Sequence, residues 1–197
     1  MQAIFNTLIE SFIAHKIGIA DYFLNPTLAA NLKQNLLQLL QENKLQTAGT
    51  GNENDALINA KNRSDKIYWL DKKHHNIYEN QFFELMDKLV EYLNNTCYTG
   101  ITGYEFHYTC YPVGSFYKKH FDQFKNNHSR QYSLILYLND NWQTADGGEL
   151  CIYQNNICQH IAPESGKSVF FKSNELEHEV LLTNHERLSI TGWLKIS

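Results

Sequence analysis

Arg187-Leu188-Ser189-Ile190-Thr191-Gly192-Trp193-Leu194 alternates with a period of two: Leu188, Ile190 and Leu194 are apolar, whereas Arg187, Ser189, Thr191 and Trp193 give the other face a mostly polar character. That period belongs to a β-strand, whose successive side chains point to opposite faces of a sheet. Two placements explain a polar face, a solvent-facing edge strand or a strand that lines an internal cavity. Working backwards, short runs rich in Tyr, Phe, Ile and Leu recur at residues 104–111, 116–121, 131–138, 149–153, 168–171, 177–182 and 186–196. Closely spaced strands of this kind predict a β-sandwich or barrel.

Upstream of residue 100 the period becomes helical. Residues 1–14 carry Ile4, Phe5, Leu8, Ile9, Phe12 and Ile13 at helical spacing with Glu10 between them, an amphipathic helix with no positive leader region. A second helix is expected over 25–45, with Asn25 as N-cap, Pro26 in the first turn and Leu28, Leu32, Leu36 and Leu40 on one face. A third, over 79–93, turns Phe82, Leu85, Met86, Leu89 and Leu93 inward. These helices are expected to brace the sheet. Between them, residues 47–63 form a polar Gly/Asn-rich segment of seventeen residues, longer than an ordinary connection, and read as a functional lid.

With no internal repeat and only 3 prolines, nothing marks an interdomain linker, and one domain over 1–197 is expected, helical support to about 100 and a β core from 101. The 197 residues are 43% hydrophobic, and 17 basic against 21 acidic side chains leave a net charge of -4. No broad basic surface is expected, which argues against nucleic acid as the main ligand. No apolar run reaches the length of a membrane span, so a soluble chain is expected. The four cysteines, at 97, 110, 151 and 158, show neither a Cys-x-x-Cys pair nor a histidine at zinc-finger spacing, and are expected to be reduced thiols.

His120-Phe121-Asp122 places two ligand-type side chains at i and i+2 of an expected strand, on one face and adjacent. In a chain with 9 histidines such a pair arises readily by chance, and a solvated strand end is the plain alternative. His178, at the start of a later apolar strand, supplies a candidate third ligand. Two imidazoles and one carboxylate leave three coordination positions open, which suits ferrous iron in oxygenases, although a hydrolytic zinc could use the same set. Arg187 bears on that choice. A buried guanidinium needs a partner, and the distal carboxylate of 2-oxoglutarate would accept two parallel hydrogen bonds from it.

The chain resembles a known family at Arg63-Ser64-Asp65-Lys66-Ile67-Tyr68-Trp69, Cys110-Tyr111-Pro112, Tyr117-Lys118-Lys119-His120-Phe121-Asp122, Tyr137-Leu138-Asn139, Gly147-Gly148-Glu149-Leu150, His178-Glu179-Val180 and Arg187 to Trp193. The family is the 2-oxoglutarate oxygenases, and within them the prolyl hydroxylases of the hypoxia-inducible-factor type with their shorter bacterial relatives. The resemblance implies an α+β fold: a double-stranded β-helix, or jelly roll, of eight strands with helices packed along one side. It implies Fe(II) at His120, Asp122 and His178, and 2-oxoglutarate held by Arg187 with Tyr137 donating to the same carboxylate. Thr191 and Trp193 would line the co-substrate pocket, and Tyr111 would reach the 1-carboxylate or the substrate channel. Arg63, Asp65 and Arg130 match positions that shape a polypeptide groove.

The expected reaction is hydroxylation of a prolyl residue in a protein, with dioxygen consumed, succinate and carbon dioxide released and ascorbate as reductant. A cytoplasmic location and, by analogy with bacterial relatives, a translation-factor substrate are expected. Residues 123–129 lack the Gly- and Pro-containing turn of the animal enzymes, so a protein loop other than hypoxia factor is the expected target. Hydroxylation of a free amino acid or other small molecule is the alternative within the class, and a non-catalytic metal-binding sensor module the alternative outside it.

Overall fold

The computed structural model describes residues 2–49, 62–123 and 126–196. Most of the expected lid, residues 50–61, lies outside them. Helix α1 (Gln2–His15) buries Phe5, Leu8 and Ile9. Helix α2 (Pro26–Gln41) starts as expected, with the Asn25 side chain accepting from the Leu28 N–H at 2.9 Å and Pro26 placed where no N–H is needed. It stops short of residue 45, because Asn43 adopts a left-handed φ of 55°. Helix α3 (Ile77–Cys97) begins earlier than expected, since the Asn76 side chain caps both the Tyr78 and Glu79 N–H groups.

Eleven strands follow or interleave: β1 (Gly18–Ala20), β2 (Gln46–Thr47), β3 (Lys66–Trp69), β4 (Gly103–Tyr111), β5 (Tyr117–His120), β6 (Arg130–Tyr137), β7 (Leu150–Gln154), β8 (Ile157–Ile161), β9 (Ser168–Lys172), β10 (His178–Val180) and β11 (Arg187–Lys195). They form a seven-stranded sheet, β1-β9-β6-β11-β4-β3-β2, and a four-stranded one, β5-β10-β7-β8. Strands β4 to β11 contribute four to each layer, the eight-stranded double β-helix that the resemblance implies, while β1, β2 and β3 extend the larger sheet.

β11 lies between β4 and β6, so the edge-strand reading of its polar face is excluded. Leu188, Ile190 and Leu194 join Leu134, Leu136, Phe106 and the apolar faces of all three helices in one core. Ile135, Tyr137, Leu150, Ile152, Val169 and Phe171 form a second core between the sheets. The alternation seen in the sequence thus separates a helix-covered face from an interior one. At Gly192 of β11 a Cβ would meet the Phe106 ring and the Glu105 carbonyl of β4.

One expectation is corrected. Cys151 and Cys158 are joined in a disulfide, leaving Cys97 and Cys110 as free thiols. The β7-β8 hairpin brings the two Cα atoms to 5.6 Å, within bridging range, a proximity that residue spacing alone does not reveal. His74, in a short exposed turn, places Nδ1 3.0 Å from a carboxylate oxygen of the buried Glu79. Among the described residues no helix is long and apolar enough to cross a membrane.

Candidate active site

β10 pairs with β5 so that His178 lies directly opposite His120. Asp122 follows in a bend just past β5 rather than on the strand itself, and Ser133 of β6 orients it by donating to Oδ2 at 2.6 Å. One ligand atom from each of His120, Asp122 and His178 falls within 4.8 Å of the others. Each imidazole has Nδ1 against a backbone carbonyl, Lys118 O at 2.7 Å for His120 and Leu176 O at 3.2 Å for His178. An Nδ1–H donated there leaves the Nε2 lone pair facing the carboxylate, 3.5 Å away in both cases.

Electrostatics favour ligand-ready forms. Burial lowers His178 to about 4, which keeps it neutral. Burial alone would raise the Asp122 carboxyl, but His178, His120 and the Ser133 hydroxyl outweigh it and hold the group well below the usual carboxylate range. The donor set suits a divalent cation that keeps open positions. Ser133→Ala removes the donor that aims Asp122 while Asp122 itself remains. Its iron affinity should fall about 10- to 100-fold, the usual effect of losing a partner that orients a metal ligand, as measured by competitive chelator titration.

Arg187 is the second element. It is 3% exposed, its Nε donates to Gly148 O at 2.8 Å and its Nη1 to Ser189 Oγ at 3.4 Å. No carboxylate among the described residues pairs with it. Its guanidinium lies 4.9 Å from the Tyr111 ring centroid and 5.1 Å from that of Tyr137. The Tyr137 hydroxyl and the Trp193 indole N–H are buried without a well-formed hydrogen bond among the described residues. Burial pushes Tyr137 up to about 12 against the pull of Arg187, so the phenol stays a donor. A buried cation and two idle donors are the complement of a small polyanion, and 2-oxoglutarate fits that description. Gly148, at φ +73°, allows the approach: its Cβ would stand 3.0 Å from Arg187 Cδ and 2.8 Å from Thr183 Cγ2.

A cavity of about 470 Å³ connects these groups, and Arg63, Asp65, Tyr111, Arg130, Thr191 and Trp193 all reach its wall. Tyr137 is not among the lining residues, but its ring lies beside the Arg187 guanidinium. Arg63 grips Asp65 through two hydrogen bonds of 2.7 and 2.6 Å and lies 4.2 Å over the Tyr117 ring, which itself stacks on His120 at 3.6 Å. Arg130 ion-pairs with Glu105 at 2.7 Å and lies 3.4 Å from the Trp193 ring centroid. Ile135 and Leu150 line the cavity, whereas Phe170 belongs to the core under the helices.

Sequence reasoning missed Tyr117, Ser133 and His107. The last was legible in principle, because His107, Thr109 and Tyr111 share the odd face of β4, and β4 pairs with β11. His107 is enclosed by Trp69 and Trp193, and burial, reinforced by Arg63, lowers it to about 4. The unfolded chain would bind a proton at His107 near 6.5 while the fold keeps it neutral down to about 4, so acid in that window favours unfolding. Denaturant titrations should lose up to about 1.4 kcal/mol per pH unit from this residue. His107→Asn should flatten that slope.

Residues 106–195 match the family model for the 2OG-Fe(II) oxygenase superfamily. A prolyl-4-hydroxylase from Pseudomonas putida is similar over 98% of this chain and 99% of that one, with 30% identity and a TM-score of 0.87. A Trichoplax adhaerens prolyl hydroxylase, solved with a peptide fragment of the hypoxia-inducible-factor oxygen degradation domain, is 25% identical over 98% of this chain and 90% of its own, with a TM-score of 0.86. A viral collagen prolyl hydroxylase from Paramecium Bursaria Chlorella virus-1 shares the fold at 17% identity, covering 94% of this chain and 98% of its own with a TM-score of 0.63. The chain belongs to the 2OG-Fe(II) oxygenase superfamily and is of the prolyl hydroxylase type. That membership implies an enzyme using Fe(II), 2-oxoglutarate and dioxygen.

Proposed function

We propose that this chain hydroxylates a prolyl residue in a protein substrate, with His120, Asp122 and His178 as iron ligands and Arg187 as the anchor of 2-oxoglutarate. The observation that carries the proposal is the pairing, in one cavity, of a buried His/Asp/His cluster with a buried arginine that has no acid partner among the described residues. When bound, iron and 2-oxoglutarate supply the oxidation, in which dioxygen and 2-oxoglutarate yield succinate, carbon dioxide and a hydroxylated substrate.

The chain's own residues do the rest. Arg187 and the Tyr137 hydroxyl hold the distal carboxylate, Thr191 and Trp193 wall the co-substrate, and Tyr111 reaches the 1-carboxylate or the substrate channel. Ser133 keeps Asp122 aimed and ionised. Ile135 and Leu150 keep the pocket apolar, which limits water around the reacting centre. At the mouth, Trp69 and Phe121 are 44% and 46% exposed, so the cavity opens onto the surface between aromatic rings. An open aromatic mouth beside the Arg63–Asp65 pair supports a polypeptide over a free amino acid, and the overall likeness to two prolyl hydroxylases supports proline as the target. Arg130 borders the same groove. Ascorbate is the proposed reductant, the cytoplasm the proposed location, and a loop of a translation factor the first partner to try.

The test is succinate formation from labelled 2-oxoglutarate with Fe(II) and ascorbate, with and without lysate of the source organism, followed by mass spectrometry for hydroxyprolyl peptides. Turnover stimulated by protein and accompanied by hydroxyproline supports the reading. Stimulation only by the small-molecule fraction would move the substrate to a free metabolite. Iron bound without any turnover would favour a sensor.

A further inference from the structure

The outer face of the smaller sheet carries a second cluster of metal-ligating groups that the oxygenase chemistry does not use. Leu150 and Ile152 of β7 point into the core between the sheets, so Cys151 between them belongs to the opposite face. Across the hairpin His160 is the register partner of Cys151, and Cys158 precedes His160 by two residues on the same strand. All three side chains therefore share one face, and one ligand atom from each lies within 4.8 Å of the others. Cys151 is buried, Cys158 half-buried and His160 exposed, so the cluster is backed by protein on one side and open on the other.

We propose that Cys151, Cys158 and His160 form a redox-gated site for a thiophilic metal ion of the zinc class, closed when the two sulfurs are bonded and open when they are reduced. Thiolate sulfur and imidazole nitrogen are the preferred ligands of such ions, and a Cys2His set leaves a fourth position for water. A disulfide carries no charge and cannot replace two thiolates. The bridge closes a hairpin already paired at five register positions, so the hairpin does not depend on it, and the half-buried Cys158 gives a reductant access. In the opening step a dithiol attacks one sulfur and breaks the Sγ–Sγ bond. Each cysteine gains one electron and one proton, and the dithiol leaves as its own disulfide. Metal binding then releases the two thiol protons. In the closing step hydrogen peroxide oxidises the two thiolates: the Sγ–Sγ bond forms, the metal ion leaves, and the O–O bond breaks with uptake of two protons to give two waters.

Cobalt(II) is the probe for the test, because thiolate-to-cobalt charge transfer absorbs in the near ultraviolet only when sulfur is a ligand, and a His/Asp/His cluster stays silent there. The full chain, reduced with a phosphine that does not compete for metal, should develop this absorption to saturation, and zinc(II) should abolish it. The untreated bridged protein should show none. Cys158→Ser should lose the absorption while thermal unfolding reports that it is folded. His160→Ala, which keeps both thiols, should retain a weaker band that saturates at higher cobalt. Asp122→Ala should leave the band unchanged. Absence of the band in reduced, folded protein with all thiols alkylatable would overturn the proposal, as would an undiminished band in folded Cys158→Ser, which would assign it to Cys97 or Cys110.

Discussion

Asp122→Ala is expected to give a folded protein that neither retains iron nor forms succinate above background. The carboxylate is the only anionic member of the cluster, and its Oδ atoms sit 3.5 Å from both imidazole Nε2 atoms. Without it, two imidazoles remain and bind a hard divalent ion weakly. The loss in iron affinity should exceed the about 10- to 100-fold expected for Ser133→Ala, since a ligand is removed rather than its support. Folding should survive, because the Ser133 hydroxyl keeps Ser173 as a partner at 2.9 Å. Metal analysis after desalting, together with a thermal melt, checks both halves. Full iron occupancy in a folded Asp122→Ala protein would remove this residue from the metal site.

The second large effect belongs to Arg187. Truncating one member of a buried, hydrogen-bonded charge pair costs about 2–5 kcal/mol, and each 1.4 kcal/mol is tenfold in affinity, so Arg187→Ala should raise the 2-oxoglutarate requirement between about 30-fold and a few thousand-fold. Turnover at saturating co-substrate should fall much less, because the iron ligands lie on other strands. Arg187→Lys should recover little, since an ammonium lacks the planar fork that matches a carboxylate. Steady-state titration of 2-oxoglutarate, with iron content matched to wild type, separates a binding defect from a folding one. An unchanged KM would strike Arg187 from the proposal.

Much of this was legible in the chain because period and chemistry coincide. The alternation from Arg187 to Leu194 separated a polar face from an apolar one but left edge and interior placements open, and the position of β11 at the middle of the larger sheet decides for the interior. β1, β2 and β3 were invisible because strands of three, two and four residues carry too little period, and they are ordered by the neighbours they pair with. β8 was missed for another reason. Its Cys158-Gln159-His160 stretch is polar because the strand is an edge, and its partners across the hairpin cannot be read from spacing. Ser133 is similar: a lone serine in an apolar strand gives no sign of the carboxylate eleven residues before it until the chain folds back. The metal cluster was readable only through Arg187 and the resemblance of the flanking motifs, since His120-Phe121-Asp122 alone arises readily by chance, whereas the aromatic enclosure of His107 depends on three separate strands.

The two sheets divide the labour unequally. His120, Asp122 and His178 come from the smaller sheet or the bend that leaves it, while Arg187, Tyr137 and Thr191 come from the larger one. A co-substrate that reaches from the metal to the arginine therefore acts as a rivet through both layers. Without it, the layers are held mainly by the apolar filling between them, and β10, only three residues long and irregular in its register with β5, is the natural place for the sandwich to breathe. Amide hydrogens of β5 and β10 should then exchange with solvent markedly more slowly once metal and 2-oxoglutarate are loaded, while those at the centre of β11 barely change. Loading the site would thus set the mechanical stiffness of the whole double layer.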